Sequence, residues 1–573
     1  VENFSEKPIL KREPIHPGGP MMVFRTGWPG ALLSAIAMSG GALWAQTPPP
    51  GAAAVQPTPS GAAAVAVEPA KKSAEPESPL VAATELWRNG KLAEAESAYR
   101  AIVASDAKCA ASYVGLFRVL LREKRLPEAV SAVARAIELA PDSAAVRTAQ
   151  AELLFRQGRI GEAQGILTPL VKAGTSEARA YLGLGKIYWA SSYYQHAKLM
   201  LDKAHERDSS DPDIRKSWLF TLTRKERIQE LNGYLADTGG EDDDEREHLA
   251  SSLVELNEDE KESSKGCRLI STVAETRIPM ERMLYGASRI RGYGLKVQLN
   301  DVKSRLLIDT GATGILVSRK IGEKAGIESI VKTDVHGIGD KGAVSSFIGV
   351  AKSIKIGDLE FHGCHVEVMD RNSVAEEDGL IGGDVFSHFL VNINFPDSRL
   401  ELTALPPMPP PSAAEKALTE KYPKIARFRD GFIPPELKDF TPVYRFGHEL
   451  LIPTRINDLP TKLFLIDTGA FSDTISPDAA REVTKVRSDS NYKVKGLSGA
   501  VNNVFTADEL TLTFSHYRQP ARDVVAFDTS GISNGAGTEV SGTLGFAMLY
   551  QMQLKIDYRD GLVDFVYDPN RFH

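Results

Sequence analysis

The sequence predicts a multidomain chain in which an all-α solenoid of helical repeats is followed by two all-β lobes. Three observations carry this. Apolar and small residues recur at a fixed spacing of 34 between about residues 80 and 215, as at Ala95, Ala129, Ala163 and Ala197. Beyond about Gly292 the period shortens to strand alternation punctuated by Gly, Asn and Asp. That second pattern occurs twice. A chain of 573 residues also exceeds what one hydrophobic core organises, so several folded units are expected.

Composition narrows the function classes before any motif does. A charged fraction of 25% and a net charge of −7 are those of ordinary globular protein and give no support to a nucleic-acid partner. Cys109, Cys267 and Cys364 are widely separated and allow one disulfide at most. Residues 1–20 are polar, precede Met21-Met22, and are expected to be an untranslated or disordered extension. Over residues 21–45, Arg25 and the apolar run Ala31 to Trp44 resemble a secretory signal peptide. Leu43 stands at −3 from a cut after Ala45, where a small residue is usual, so an uncleaved membrane anchor is the alternative. Either way the chain is expected to be exported, periplasmic or secreted. Residues 46–79 are rich in Pro, Ala, Gly and Ser, and form a tether that cannot bury a core.

Residues 80–235 are read as the helical domain. Leu86, Leu120, Leu154 and Tyr188 stand nine residues before the repeating alanines; Tyr99, Val133, Leu167 and Leu201 stand four after, and Ile102, Ala136, Leu170 and Ala204 seven after. A small residue at a fixed site lets two antiparallel helices approach, while the large ones fill the groove between successive pairs. This pattern resembles the tetratricopeptide repeat, although Phe117 stands where that family usually has a small residue. The resemblance implies a concave surface for a protein partner. Residues 236–289, with the acids Glu241-Asp242-Asp243-Asp244-Glu245 and Asn257-Glu258-Asp259-Glu260-Lys261-Glu262, are expected to be an acidic linker.

The two β lobes are placed at residues 290–403 and 443–573, separated by a Pro-rich linker at 404–442. Leu299-Asn300-Asp301 leads to Leu306-Leu307-Ile308-Asp309-Thr310-Gly311-Ala312, and Ile456-Asn457-Asp458 leads to Leu463-Phe464-Leu465-Ile466-Asp467-Thr468-Gly469-Ala470. Each copy then passes a serine (Ser318, Ser476), a Gly-containing turn (Gly337-Ile338-Gly339, Gly496-Leu497-Ser498-Gly499) and a second step (Leu380-Ile381-Gly382, Thr543-Leu544-Gly545). Each ends in alternating strands, Val391 to Phe395 and Leu554 to Tyr558.

An Asp-Thr-Gly triplet alone is weak, and Asp237-Thr238-Gly239 is read as accidental because no apolar strand delivers it. Asp309 and Asp467 differ: an apolar run, of three residues before Asp309 and four before Asp467, carries each to a strand end, and Gly then permits a tight turn. Here the chain resembles the retropepsin family of aspartic peptidases, in which two subunits each give one aspartate to a shared site. The resemblance implies an aspartic-type endopeptidase fold with Asp309 and Asp467 as the catalytic pair and a peptide or protein as substrate. Thr310 and Thr468 would bond across the join, Gly311 and Gly469 would place amides beside the carboxylates, and Gly337, Ile338, Gly339, Gly496, Leu497 and Gly499 would belong to substrate-covering flaps.

The pairing has a physical reason. Two carboxylates held about 3 Å apart cannot both ionise cheaply, so one keeps a proton and the site offers acid and base together. A water then serves as nucleophile, with no cofactor or metal. The local cluster His362, Cys364 and His365 is not read as a metal site, since alternation puts His365 on the opposite face. After its second step the first copy continues Gly383-Asp384-Val385-Phe386 and the second Phe546-Ala547-Met548-Leu549, so the lobes are not equal. A linker of this length reaches roughly 100 Å and forbids neither pairing within the chain nor between chains. High local concentration favours the internal pair. A scaffold that binds peptides without cutting them is the competing reading.

Overall fold

The computed structural model describes residues 21–22, 78–236, 246, 249–254, 256–257 and 267–571, the last span without 286–288, 372–376, 414, 417–424, 426–427 and 490–491. The expected leader beyond Met22, the tether up to residue 77, the Asp237 triplet and the acidic run at 241–245 lie outside the described residues. Among the described residues no helix is long and apolar enough to cross a membrane.

Ser78 and Pro79 open the helical domain, the serine hydroxyl accepting from the Val81 amide at 3.4 Å and proline filling the first turn. Helices α1 (Pro79–Arg88) and α2 (Leu92–Ser105) form the first pair. They are followed by α3 (Ala110–Arg122) with α4 (Leu126–Leu139), α5 (Ala144–Arg156) with α6 (Ile160–Lys172), α7 (Ala178–Ala190) with α8 (Tyr194–Arg207), and α9 (Pro212–Leu219) with α10 (Arg224–Ala236). Ala95, Ala129, Ala163 and Ala197 are all fully buried. One turn on, Tyr99 and Leu167 pack so close to Gly115 and Gly183 of the next pair that a Cβ on either glycine would clash with them. The turn inside each of the first four pairs also repeats, with Gly90, Lys124, Gly158 and Ser192 all left-handed.

The helical domain is seated on the second lobe. Arg156, at the end of α5, donates to the Ser533 carbonyl at 2.6 Å and to the Asn534 side chain. The Glu539 amide donates back to the Arg156 carbonyl at 2.8 Å. Leu154, Ile160 and Ala163 share one core cluster with Leu463, Ile532 and Val540 of that lobe. At the α7–α8 turn, Asp430 of the interlobe segment accepts from the His196 amide at 2.8 Å, and Gln195 Nε2 donates to the Phe428 carbonyl at 2.7 Å.

The two lobes repeat one topology. In the first, strand Val302–Asp309 pairs in parallel with Gly379–Gly382, so that Asp309 faces Gly382. In the second, Lys462–Asp467 pairs in parallel with Gly542–Gly545, and Asp467 faces Gly545. The hairpin turns ahead of them match: Asn300 and Asn457 are both left-handed, and their side-chain oxygens accept from the amides of Ser353 (3.1 Å) and Thr511 (2.8 Å).

A third sheet of six strands joins the lobes, in the order Thr441–Pro442, Leu562–Tyr567, Met552–Asp557, Phe389–Asn394, Arg399–Ala404 and Glu275–Pro279. Its central step pairs Asn392 with Lys555 across the join. Apolar residues of both lobes form a single continuous core beneath it, from Ile278 and Ile308 to Ile466 and Ile556. Pairing within one chain is therefore built into the fold.

The β body begins earlier than expected. Strands Arg268–Leu269, Glu275–Pro279 and Glu281–Tyr285 fall inside the stretch 236–289 read as linker. In Glu275–Pro279 the outward residues are Glu275, Arg277 and Pro279, and only Thr276 and Ile278 are buried, so the apolar signal is one side chain deep. A disulfide between Cys267 and Cys364 fixes the start of this segment to strand Leu359–Met369. Cys109 is free.

Candidate active site

Asp309 and Asp467 end equivalent central strands and meet where the lobes join, 1% and 0% exposed. Each is held by its own turn. Asp309 Oδ1 accepts from the Gly311 amide at 2.9 Å, and Asp467 Oδ1 accepts from the Gly469 and Ala470 amides, both at 2.9 Å. Each carboxyl also lies over the opposite lobe's glycine. A Cβ on Gly311 would stand 3.0 Å from both carboxylate oxygens of Asp467, and one on Gly469 would stand 2.5 and 2.6 Å from those of Asp309. Glycine is the residue that leaves room for the pair to approach.

The threonines lock this arrangement. The Thr310 amide donates to Thr468 Oγ1 (3.1 Å) and the Thr468 amide to Thr310 Oγ1 (3.0 Å). The Thr310 hydroxyl donates to the Ile466 carbonyl (2.7 Å) and the Thr468 hydroxyl to the Ile308 carbonyl (3.0 Å). Four buried bonds thus cross the join beneath the carboxyls.

Burial, and then the negative charge of Asp309, push the Asp467 carboxyl well above the usual range. Asp467 lies within hydrogen-bonding reach of Asp309, while its Oδ2 finds no donor among the described residues. Two carboxylates offer only acceptors, so their contact becomes a hydrogen bond when one of them carries a proton. The arrangement can hold one proton and one negative charge at the same place.

The flap segments exchange lobes. Gly337 donates to Ser498 Oγ at 3.1 Å, the Ser498 amide donates to the Ile338 carbonyl at 3.0 Å, and the Lys341 amide donates to the Ser498 carbonyl at 2.9 Å. Leu497 of the second lobe is buried among Met283, Leu307, Leu316 and Leu380 of the first. Ile338 of the first joins the cluster of Leu465, Ala470 and Val494 of the second. Gly339 and Gly499 are left-handed where the two turns cross. Gly496 ends the strand Lys493–Gly496 that carries the second turn.

The inequality after the second step has a local explanation. In the first lobe Asp384 accepts from the Thr313 hydroxyl (2.9 Å) and the Gly314 amide (3.0 Å), bracing the turn after the triplet. The second lobe has Ala547 in the position of Asp384, but its turn carries Asp473, whose carboxylate accepts from the Gly545 amide at 3.0 Å. The bracing carboxylate has moved to the other side of the same gap. Sequence reasoning also missed His448, a buried second-lobe side chain whose Nε2 lies 3.2 Å from the Gly311 carbonyl. Nothing in its surroundings in the sequence sets it apart. Of the histidine and cysteine cluster, Cys364 is in the disulfide and His362 Nε2 lies 2.8 Å from Glu360.

Comparison with known families covers the helical repeats and part of the first lobe. Residues 295–385, the heart of the first lobe including Asp309, match the family model of an aspartyl protease. Residues 80–144 and 148–212 match that of the tetratricopeptide repeat. No curated protein matches the chain. The chain thus carries tetratricopeptide repeats followed by an aspartyl protease domain.

Proposed function

We propose that the protein is an aspartic endopeptidase whose catalytic pair is Asp309 and Asp467. The observation that carries this is the reciprocal packing of each carboxyl on the other lobe's glycine, which brings two buried acids to one point. The ionised member takes a proton from a water, and the water oxygen attacks the peptide carbonyl. The protonated member donates to the carbonyl oxygen as charge develops there, and a proton returned to the amide nitrogen lets the C–N bond break. Substrate lies extended between the flap turns and the paired strands, held largely through its backbone. Entry then requires the bonds between Gly337, Ile338 and Ser498 to open.

The helical repeats recruit a substrate or partner protein, and the protein is exported. The Cys267–Cys364 disulfide supports export, because such bonds persist in oxidising compartments. Incubating a peptide library with the protein and with Asp309→Asn and Asp467→Asn, and reading cleavage by mass spectrometry, tests the peptidase reading. Cleavage lost in both variants supports it. Binding without cleavage by the unaltered protein would make it a peptide-binding scaffold instead.

A further inference from the structure

We infer that the helical repeats reach the catalytic pair through a strut, Tyr194–Arg445–Tyr558, and that Arg445 and Tyr558 are positioning residues of the peptidase site. Tyr194 opens α8 and is 7% exposed. Its hydroxyl accepts from Arg445 Nη1 at 2.9 Å. Arg445 belongs to the second lobe, in strand Tyr444–Phe446, and the same nitrogen donates to the Tyr558 carbonyl. Its guanidinium also stands 5.9 Å from the Tyr558 ring.

Tyr558 carries the contact across the join. It follows the strand Met552–Asp557 of the six-stranded sheet, and its side chain is buried. Its ring carbon Cζ lies 3.2 Å from where a Cβ on Gly383 would stand, with the hydroxyl closer still, and that point is 3.5 Å from Thr310 Cγ2. Gly383 follows Gly382, which faces Asp309 in the sheet. An unbroken run of contacts therefore leads from the fourth helical pair to the turn that holds Asp309.

The equivalent place in the first lobe lacks this connection. There Phe395 follows the corresponding strand and packs on Phe546 at 5.5 Å, in the position matching Gly383. Phe395 has no hydroxyl. The Tyr558 hydroxyl finds no hydrogen-bond partner among the described residues, and its burial beside the negative Asp384 and Asp309 keeps it protonated. Of the two matching positions, 395 and 558, the one on the Asp309 side carries the phenol, and that residue is tied to the repeats through Arg445. The turn after it is tied as well, since a Cβ on Gly561 would stand 2.6 Å from Ser192 Oγ in the α7–α8 turn. A partner that shifts the fourth helical pair would thereby shift Thr310 and Asp309.

This inference rests on the peptidase reading for its meaning, but its test does not need cleavage. Amide hydrogen exchange of the segment around residues 306–314 would be followed in the full protein, in Tyr194→Phe and in Tyr99→Phe. The last variant removes a helical-domain contact with Thr84, at 3.1 Å, that is remote from the strut. The strut predicts at least a fivefold faster exchange of that segment in Tyr194→Phe and none in Tyr99→Phe. Where the unaltered protein cleaves peptide, kcat of Tyr194→Phe and Tyr558→Phe would fall at least threefold with KM within twofold, and the double variant would be no worse than the poorer single one. Unchanged exchange in Tyr194→Phe, or an equal rise in both variants, would overturn the strut whether or not the protein cuts peptides. Absence of cleavage by the unaltered protein alone would overturn the peptidase reading and leave the exchange result to decide the strut.

Discussion

Thr310 and Thr468 each donate a backbone amide to the other's hydroxyl, at 3.1 and 3.0 Å, across the join between the lobes. Each hydroxyl then donates onward to a carbonyl of the opposite strand, so both hydroxyls are paired as donor and as acceptor. Replacing Thr310 by Val keeps the shape and removes both roles of the hydroxyl. The Thr468 amide and Ile466 carbonyl are left buried without partners, at a cost of about 2–4 kcal/mol. Urea unfolding should show that loss for Thr310→Val and at most about half of it for Thr310→Ser. Equal stability of the three proteins would mean that the crossed bonds contribute nothing.

Gly469 makes a sharper demand. A methyl group there would meet the Asp309 carboxyl at 2.5–2.6 Å, which no side chain tolerates without movement. Gly469→Ala is expected to fold, since the displaced group is a side chain, and to lose at least 100-fold in cleavage because the pair is forced apart. Circular dichroism with a peptide assay reads both. Retained activity would show that the carboxyls need not lie so close.

Asp560 gives the protein a pH-dependent weakness away from the site. Burial, and then the nearby charge of Asp557, raise its carboxyl to about 6. The unfolded chain binds fewer protons than the folded one between about pH 4 and 6, so this group's contribution to stability is lost as pH rises through that window. Allowing for its partial solvation, Asp560→Asn should be more stable than the unaltered protein by about 1–2 kcal/mol above pH 7, with the difference gone by about pH 4. Thermal melts at the two pH values measure it, and a constant difference would rule out the titration.

The Cys267–Cys364 bond spans a sequence separation of 97. Loop-closure entropy for so long a loop sets an upper value of about 4–5 kcal/mol, and removal is expected to cost about 2–4 kcal/mol. Alkylation before reduction should label Cys109 alone in protein isolated from its native compartment. Labelling of all three cysteines would contradict export.

Much of this was legible in the sequence, for identifiable reasons. The four repeating alanines could be read because a helix pair tolerates nothing larger there, and all four are fully buried. The duplicated Asp-Thr-Gly strings could be read because each sits behind an apolar run of three or four residues that the fold buries on both sides. Strand Glu275–Pro279 was hidden because Glu, Arg and Pro occupy its outward positions and an acidic run precedes it in the sequence. The exchange of bracing roles between Asp384 and Asp473 was hidden as well, because it joins residues about 70 apart on opposite sides of a gap. Periodicity also shows which side chains are buried without saying against what. Neither Leu497 nor Ile338 announces that it packs into the other lobe, and nothing in α5 or α8 announces the second lobe as its neighbour.

The most direct test of the central claim is cleavage by a protein of known mass. Size-exclusion chromatography with light scattering would establish the oligomeric state, and the same fractions would be assayed on a peptide library with Asp309→Asn and Asp467→Asn alongside. The account predicts an active monomer of about 62 kDa, less any leader removed, that either substitution inactivates. A protein that cuts nothing between pH 3 and 8, or whose cutting survives either substitution, would contradict it.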